Sequence, residues 1–279
     1  MTKLTINKYA AKKIAQGIAV LDARDFPGNT YSEGFADLYF DHQWLSQAYF
    51  SRQNKGIGWT VASTDFHQLL TDAKNKRQSY AQDTATTAYR VFNQDGDGFG
   101  GMTIDIYDDY ALFSWYNAFI YTLKDEILAA FQAVFPEILG AYEKVRFDSK
   151  LPISSHIYGK LAAEKFIILE NGVKYQVFLN DGLMTGIFLD QHEVRGALLE
   201  DLAAGKDILN LFSYTAAFSV AAAMGGAKST TSVDLAKRSR ELSEAHFKAN
   251  GLGLETHKFH IMDVFEYAKY AARKKLSFD

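Results

Sequence analysis

Between Asp207 and Lys274 short β-prone runs alternate with helical patterns three times over, and nothing else in the sequence constrains the fold as tightly. Asp207 to Phe212 reads as a strand, Phe218 to Met224 as a short helix ended by Gly225-Gly226, and Ser229 to Val233 as a second strand. Leu235 to Asn250 reads as a helix with Leu235, Leu242, Ala245 and Ala249 on one side and Gly251 past its end. His257 to Ile261 is a third strand and Val264 to Lys274 the next helix. Parallel strands need a crossover between them, and a helix supplies it, so this alternation predicts a parallel sheet. A fourth strand is expected to begin near Phe278, at the end of the sequence, which predicts an incomplete sheet.

The upstream pattern differs. From Gly17 to about Ala62 the β-prone runs Gly34 to Phe40, Leu45 to Phe50 and Ile57 to Val61 are separated by turn signals at Pro27-Gly28-Asn29, Asp41-His42 and Asn54-Lys55-Gly56. Asp65 is placed to cap a helix whose Phe66, Leu69, Leu70 and Ala73 recur at helical spacing, bridging two domains. Tyr89 to Asn117 alternates like paired strands around "NQDGDGFGG", and Leu123 to Phe135 has helical spacing closed by Pro136. Asn171-Gly172 between two β-rich runs signals a hairpin.

With 48% hydrophobic residues in 279 the chain can fill real cores, and with no cysteine it offers no disulfide, thiolate ligand or thiol nucleophile. No run approaches the roughly 20 apolar residues of a membrane-spanning helix, so a cytoplasmic protein is expected. A net charge of -3 excludes a uniformly basic nucleic-acid coat and leaves local patches. Those are Lys3, Lys8, Lys12 and Lys13; Lys74, Lys76 and Arg77; and Arg273, Lys274 and Lys275, although such runs are usually solvated faces. Tyr31, Tyr39 and Trp44 are candidates for stacking unpaired bases, or for packing. "DGDGFGG" resembles a calcium loop until the bidentate position, which is Ile106, so a glycine-rich turn is expected and no metal.

The candidate site residues cluster around the alternating segment. A pyrophosphate cofactor needs glycines in the turn after the first strand, and Ser213-Tyr214-Thr215-Ala216-Ala217 has none. A cofactor with a neutral linker, such as S-adenosylmethionine, demands less of that turn. Asp234, ending the second strand, can accept both ribose hydroxyls, and Asp263, after the third, can accept from an adenine amine. Both also read as caps of the helices they precede. In "TGIFLDQHEVR", Gln191 can donate and accept, and Arg195 can bind a carboxylate such as that of a methionyl group. The alternative for this pair is an ordinary helix start capped by Asp190.

"TGIFLDQHEVR", "ILNLFSYTAAFSVAAAMGGA", "SVDLAKRSRELSEAHFKANGL" and "DVFEYA" together resemble the large-subunit (23S) ribosomal RNA cytosine-5 methyltransferases, and "YRVFNQDGDGFGGMTIDIYDDY" resembles the start of that family's middle domain. The resemblance implies a multidomain α/β chain. Residues 1–68 would be a β-rich PUA-like domain, 69–182 a middle α+β domain, and 183–279 the first part of a Rossmann-like class I methyltransferase domain. It implies S-adenosylmethionine as donor, with Phe212, Ser213 and Tyr214 around the methionyl part, Asp234 on the ribose, Asp263 on the adenine, and Gln191 and Arg195 lining the pocket. RNA would be the partner, with no membrane and no metal, and an unpaired sheet edge would make a homodimer one expectation.

Two features depart from that family. Ala216-Ala217 stands where the family has Gly-Gly, which costs on the order of 1 kcal/mol if either residue needs positive φ. The family attacks C6 of cytosine with a cysteine thiolate and holds the base with an Asp-Pro-Pro motif, and neither occurs here, so a shortened chain, inactive by itself, is expected. The alternatives are a non-catalytic RNA-binding or ribosome-associated protein and, less suited to the glycine-free loop, a dinucleotide-dependent oxidoreductase.

Overall fold

The computed structural model describes residues 2–29, 31–52 and 56–279, and the chain divides into two compact units. One comprises Met1–Gln82 and Arg90–Leu161, the other Asp83–Tyr89 and Ala162–Asp279. The architecture is mixed α/β with several sheets.

The first unit opens with β1 (Thr2–Thr5), α1 (Lys8–Ala15), β2 (Val20–Leu21), β3 (Gly34–Phe40), β4 (Gln43–Phe50) and β5 (Gly58–Val61). They form one sheet in the order β1-β3-β4-β5-β2, with β1 parallel to β3. Asp41 and His42, at φ 48° and 62°, turn β3 into β4, a two-residue hairpin whose twist matches the strands it joins. Ala36, Leu38, Ala48 and Phe50 face inward onto Ile6, Ala10, Leu21 and Phe26. The expected turn at Asn54-Lys55 lies outside the described residues.

Asp65 caps α2 (Phe66–Lys76) by accepting the Gln68 N–H at 3.1 Å, and Phe66, Leu69, Leu70 and Ala73 are its buried face. After α3 (Gln78–Gln82), a second sheet is built from β6 (Ala88–Asn93), β7 (Met102–Tyr107), β8 (Tyr110–Trp115), β9 (Gly140–Val145) and β10 (Ser154–Gly159), in the order β10-β9-β8-β7-β6. β8 and β9 are parallel, joined through α4 (Ala118–Thr122) and α5 (Lys124–Val134). β7, β8 and β9 are buried along their whole length, and carboxylates among them have partners: Asp105 accepts from Arg90 at 2.7 Å and Glu143 from Trp115 at 2.9 Å. In the glycine-rich turn Asp97 accepts from Arg77 at 2.8 and 2.7 Å and from the Asn93 N–H at 2.7 Å, so this carboxylate braces the turn.

The second unit contains the hairpin β11 (Phe166–Glu170) and β12 (Val173–Val177), joined by Asn171 and Gly172 at φ 52° and 77° as the Asn-Gly pair predicts. The segment leading into β6 runs beside β11, with Thr87 N–H on Leu169 O at 2.9 Å. Then come α6 (His192–Ala197), β13 (Asp207–Leu211), α7 (Ala217–Met224), β14 (Ser229–Asp234), α8 (Lys237–Ala249), β15 (His257–Ile261) and α9 (Val264–Lys274). β13, β14 and β15 form the expected parallel sheet. Leu209 and Val233 point toward Val264 and Tyr267 of α9. On the other face Ser219 of α7 bonds Asn210 at 3.0 Å and Ser232 at 2.8 Å. Asp279 N–H reaches Asp207 O at 3.0 Å, along the edge of β13 where a further strand was expected to start.

Two local expectations are corrected. α8 starts at Lys237 and buries Ser239, Ser243, His246 and Phe247, while Leu235 stands outside the helix, 70% exposed. The two serines can be inside because each bonds a carbonyl of the preceding turn, Ala236 O at 2.6 Å and Ser239 O at 2.7 Å. Asp190 does not cap α6, which follows a 3-10 turn at Leu189–Gln191 and has no side-chain cap. Among the described residues no helix is long and apolar enough to cross a membrane.

Candidate functional site

Three strand ends define the carboxyl edge of the parallel sheet. Val233 pairs with Leu211 and Asp234 with Ile261, so Phe212, Asp234 and the residues after Ile261 emerge side by side. Open α/β sheets bind ligands outside this edge. Asp234 accepts the Tyr214 N–H on Oδ2 at 2.8 Å and the Ala236 N–H on Oδ1 at 2.9 Å. An ionised carboxylate has about four lone-pair positions, so each oxygen keeps capacity for one further donor. Asp263 caps α9 through Oδ1, which takes the Phe265 N–H at 2.8 Å and the Glu266 N–H at 3.2 Å.

Beside these carboxylates stand exposed apolar side chains: Phe212 at 72%, Leu235 at 70% and Phe265 at 72%. Water-facing phenyl and leucyl groups next to unsaturated acceptors suit a flat ring carrying hydroxyl and amine donors. Leu235 and Phe265 were not among the site residues expected from the sequence. The available signal was an apolar residue directly after, or two after, the carboxylate that ends a strand.

The loop after β13 is held in an unusual shape. Phe212, Tyr214 and Ala216 have φ of 54°, 50° and 56°, all without glycine. Left-handed backbone at non-glycine residues costs about 1–2 kcal/mol each and persists where the surroundings over-determine it. Here they do. Ser213 N–H continues the ladder to Val233 O at 3.0 Å, and Gly186 takes two loop side chains: its N–H donates to Tyr214 Oη at 2.9 Å and its carbonyl accepts from Thr215 Oγ1 at 2.6 Å. A side chain at Gly186 would be strained at φ 104° and its Cβ would lie 2.7 Å from Gln176 O. Gly186 therefore joins "TGIFLDQ" to the loop, a role unassigned by sequence reading although a glycine before an apolar pair marked the place.

Arg195 lies behind this rim. It is 2% exposed and its guanidinium forks onto Glu170, Nε to Oε1 at 2.5 Å and Nη2 to Oε2 at 2.7 Å, with Nη2 also on Phe188 O at 2.7 Å. Its carboxylate partner is thus within the fold, and through Phe188 O it fixes the residue whose ring packs on Tyr214 at 5.5 Å. Gln191 is half-buried in the 3-10 turn, 3.4 Å from Asp190. Phe212, Ser213, Tyr214 and Asp234 are brought together by the loop, Asp263 shares their sheet edge, and Gln191 and Arg195 belong to the adjoining segment.

Several basic residues marked for phosphate contact are committed to carboxylates. Lys13 pairs with Asp22 at 3.0 Å and Asp25 at 2.8 Å, Lys74 with Glu137 at 2.8 Å, and Lys76 and Arg77 with Asp97. Tyr31 stacks on the core residue Phe50, whereas Trp44 is exposed and donates to Asp37 at 3.1 Å.

The family model described as S-adenosylmethionine-dependent methyltransferase matches residues 138–278. The chain is 42% identical to "Putative ribosomal RNA large subunit methyltransferase YwbD" of Bacillus subtilis (strain 168), over 100% of this chain and 74% of that protein. It is 30% identical to ribosomal RNA large subunit methyltransferase I of Aeromonas salmonicida (strain A449), over 90% of this chain and 67% of that protein. The crystal structure of SMU.776, described as a putative methyltransferase complexed with SAH, superposes with a TM-score of 0.95 at 56% identity, over 100% of this chain and 74% of that one. The chain belongs to the S-adenosylmethionine-dependent methyltransferase family, among the relatives of YwbD and ribosomal RNA large subunit methyltransferase I.

Proposed function

We propose that the carboxyl edge of β13-β14-β15 holds S-adenosylmethionine and that the chain serves cytosine-5 methylation of large-subunit (23S) ribosomal RNA, in a cytoplasmic setting. The observation that carries the reading is Asp234, whose Oδ2 fastens the loop, whose Oδ1 takes the Ala236 N–H, and whose oxygens still have lone pairs left beside the exposed Phe212, Leu235 and Phe265. Asp234 accepts the ribose hydroxyls and Asp263 the adenine amine, with Leu235 and Phe265 against the faces of the base. Phe212, Ser213 and Tyr214 wrap the methionyl part and Gln191 lines its end. Arg195 acts through Glu170 and Phe188, setting the wall rather than touching the ligand. The bound donor supplies an electrophilic methyl group; these residues bind and orient it.

The segments 1–68, PUA-like, and 69–182 are proposed to engage RNA, and 183–279 to hold the donor. Cytosine-5 transfer by the thiolate route needs a cysteine, and residues 1–279 contain none, so these residues alone are proposed not to complete it. That same fact favours a second reading, an RNA-binding protein without catalysis.

Calorimetric titration of S-adenosylhomocysteine tests the site. Micromolar binding by this chain, lost in Asp234→Ala, is expected. Absence of binding alongside tight RNA binding would leave the second reading.

A further inference from the structure

α8 meets the hairpin along the edge of β12 that β11 leaves open. With Asn171 and Gly172 closing a two-residue turn, Val173, Tyr175 and Val177 exchange ladder bonds with β11, and the backbone groups of Lys174 and Gln176 point the other way. Two side chains one helical turn apart, His246 on α8 and Asn250 at its C-cap, receive them. Asn250 bonds both the N–H and the carbonyl of Lys174 at 2.8 Å, and His246 Nε2 lies 3.0 Å from Gln176 O. The other nitrogen of the same ring, Nδ1, lies 3.0 Å from Thr215 O in the loop after β13. That carbonyl stands outside the ladder of α7, which begins with Val220 N–H on Ala216 O. Beside the imidazole, Tyr175 packs edge-on at 5.5 Å and sends its hydroxyl to Ala217 O at 3.3 Å. The carbonyls on both sides of the left-handed Ala216 are therefore held from below.

Both atoms facing the ring are acceptors, whereas a neutral imidazole has one N–H to give. Burial pushes the pKa of His246 down against the opposing pull of the two carbonyls, which keeps the ring neutral at pH 7. The single N–H therefore goes to one of the two carbonyls, Gln176 O or Thr215 O.

We propose that His246 is a positioning residue for the methyl donor: its Nδ1–H holds the Thr215 carbonyl, and with it the left-handed turn at Ala216, so the grip of the 212–216 loop on the donor depends on a ring buried behind it. The inference rests on the reading of that loop as the donor site.

The test titrates S-adenosylhomocysteine into the full chain and into His246→Gln and His246→Phe, with a thermal melt of each. The ring nitrogen NMR shifts of His246 are recorded in the wild type with and without S-adenosylhomocysteine. A variant that folds is expected to bind on the order of tenfold more weakly, the loss of one net hydrogen bond. Gln, which keeps a donor, should lose less than Phe. The wild-type ring is expected to be neutral, protonated on Nδ1, and to shift when S-adenosylhomocysteine binds. Wild-type affinity in a folded variant overturns the proposal. If neither variant folds, the ring spectrum decides, and an Nε2–H tautomer or a signal indifferent to S-adenosylhomocysteine overturns it. If the wild type itself binds no S-adenosylhomocysteine, the donor reading of the loop fails and this inference falls with it.

Discussion

The Tyr214 N–H donates to Asp234 Oδ2 at 2.8 Å, so the carboxylate ending β14 fastens the loop that follows β13. One side chain thereby shapes the loop and offers the acceptors that a ribose needs. Asp234→Ala should then lose stability as well as S-adenosylhomocysteine binding. It strips the acceptor from the Tyr214 and Ala236 N–H groups, at about 1–3 kcal/mol in total. Chemical denaturation beside the titration checks this; an unchanged unfolding midpoint would mean that the loop holds its shape without Asp234.

Phe212 should show a conflict between stability and binding. Its φ of 54° is strained and its ring, 72% exposed, packs little. Phe212→Gly relieves the strain and loses some of that gain to the extra freedom of the unfolded chain, for a net stabilisation of up to about 1 kcal/mol. S-adenosylhomocysteine binding should weaken in the same variant. A destabilised Phe212→Gly would show that the phenyl group packs onto the fold.

At Ala216 the balance differs because the methyl group is fully buried. Gly relieves φ 56° and forfeits that methyl, so Ala216→Gly should stay within about 1 kcal/mol of wild type. Ala216→Val adds β-branching to a left-handed residue in a filled space and should cost more than about 2 kcal/mol. Melting temperatures of the two variants, ranked Gly far above Val, are the expected result.

The sheet and helix order was legible because each element repeats its own period: Phe66, Leu69, Leu70 and Ala73 on α2, the Asn171-Gly172 turn, and Asp263 ahead of Val264–Lys274. Asp234 was legible as a carboxylate ending a β-rich run. The loop's left-handed residues were not, because the usual signal is glycine and this loop has none. α8 was assigned the wrong inner face because its buried side chains include Ser239, Ser243 and His246, whose fitness for the interior depends on carbonyls that no periodicity reveals. The partner of Arg195 lies on β11, 25 residues earlier, and pattern within one segment cannot find it.

Acid should weaken the second unit before its carboxylates titrate. Burial pushes His246, His257 and His260 below the ordinary histidine value, with Lys258 and Arg240 adding to the effect at His260 and Glu255 opposing it at His257. Since the folded values are depressed, the unfolded chain binds more protons once the pH falls through about 6.5, and stability declines from there downward, by at most about 1.4 kcal/mol per pH unit for each group. Urea midpoints at pH 7.5, 6.5 and 5.5 should fall in that order. A flat series would mean that these rings take up protons as readily folded as unfolded.

The pair Arg195–Glu170 separates structural from ligand-binding roles. Both side chains are almost wholly buried, and His192 Nδ1 stands a further 3.7 Å from Glu170 Oε2. Removing one partner leaves an uncompensated charge inside, so Glu170→Ala should cost about 3–5 kcal/mol, whereas replacing both with apolar groups of similar volume, Glu170→Leu with Arg195→Met, should recover most of it. Affinity should not return in step. The Arg195 Nη2 donor that holds Phe188 O is gone in the double variant, so the wall beside Tyr214 loosens and S-adenosylhomocysteine binds more weakly, though less so than in Asp234→Ala. Denaturation and calorimetry on the same samples check both halves. If the double variant regains stability and binds nothing, Arg195 reaches the ligand directly, and its place in the site is that of a contact residue.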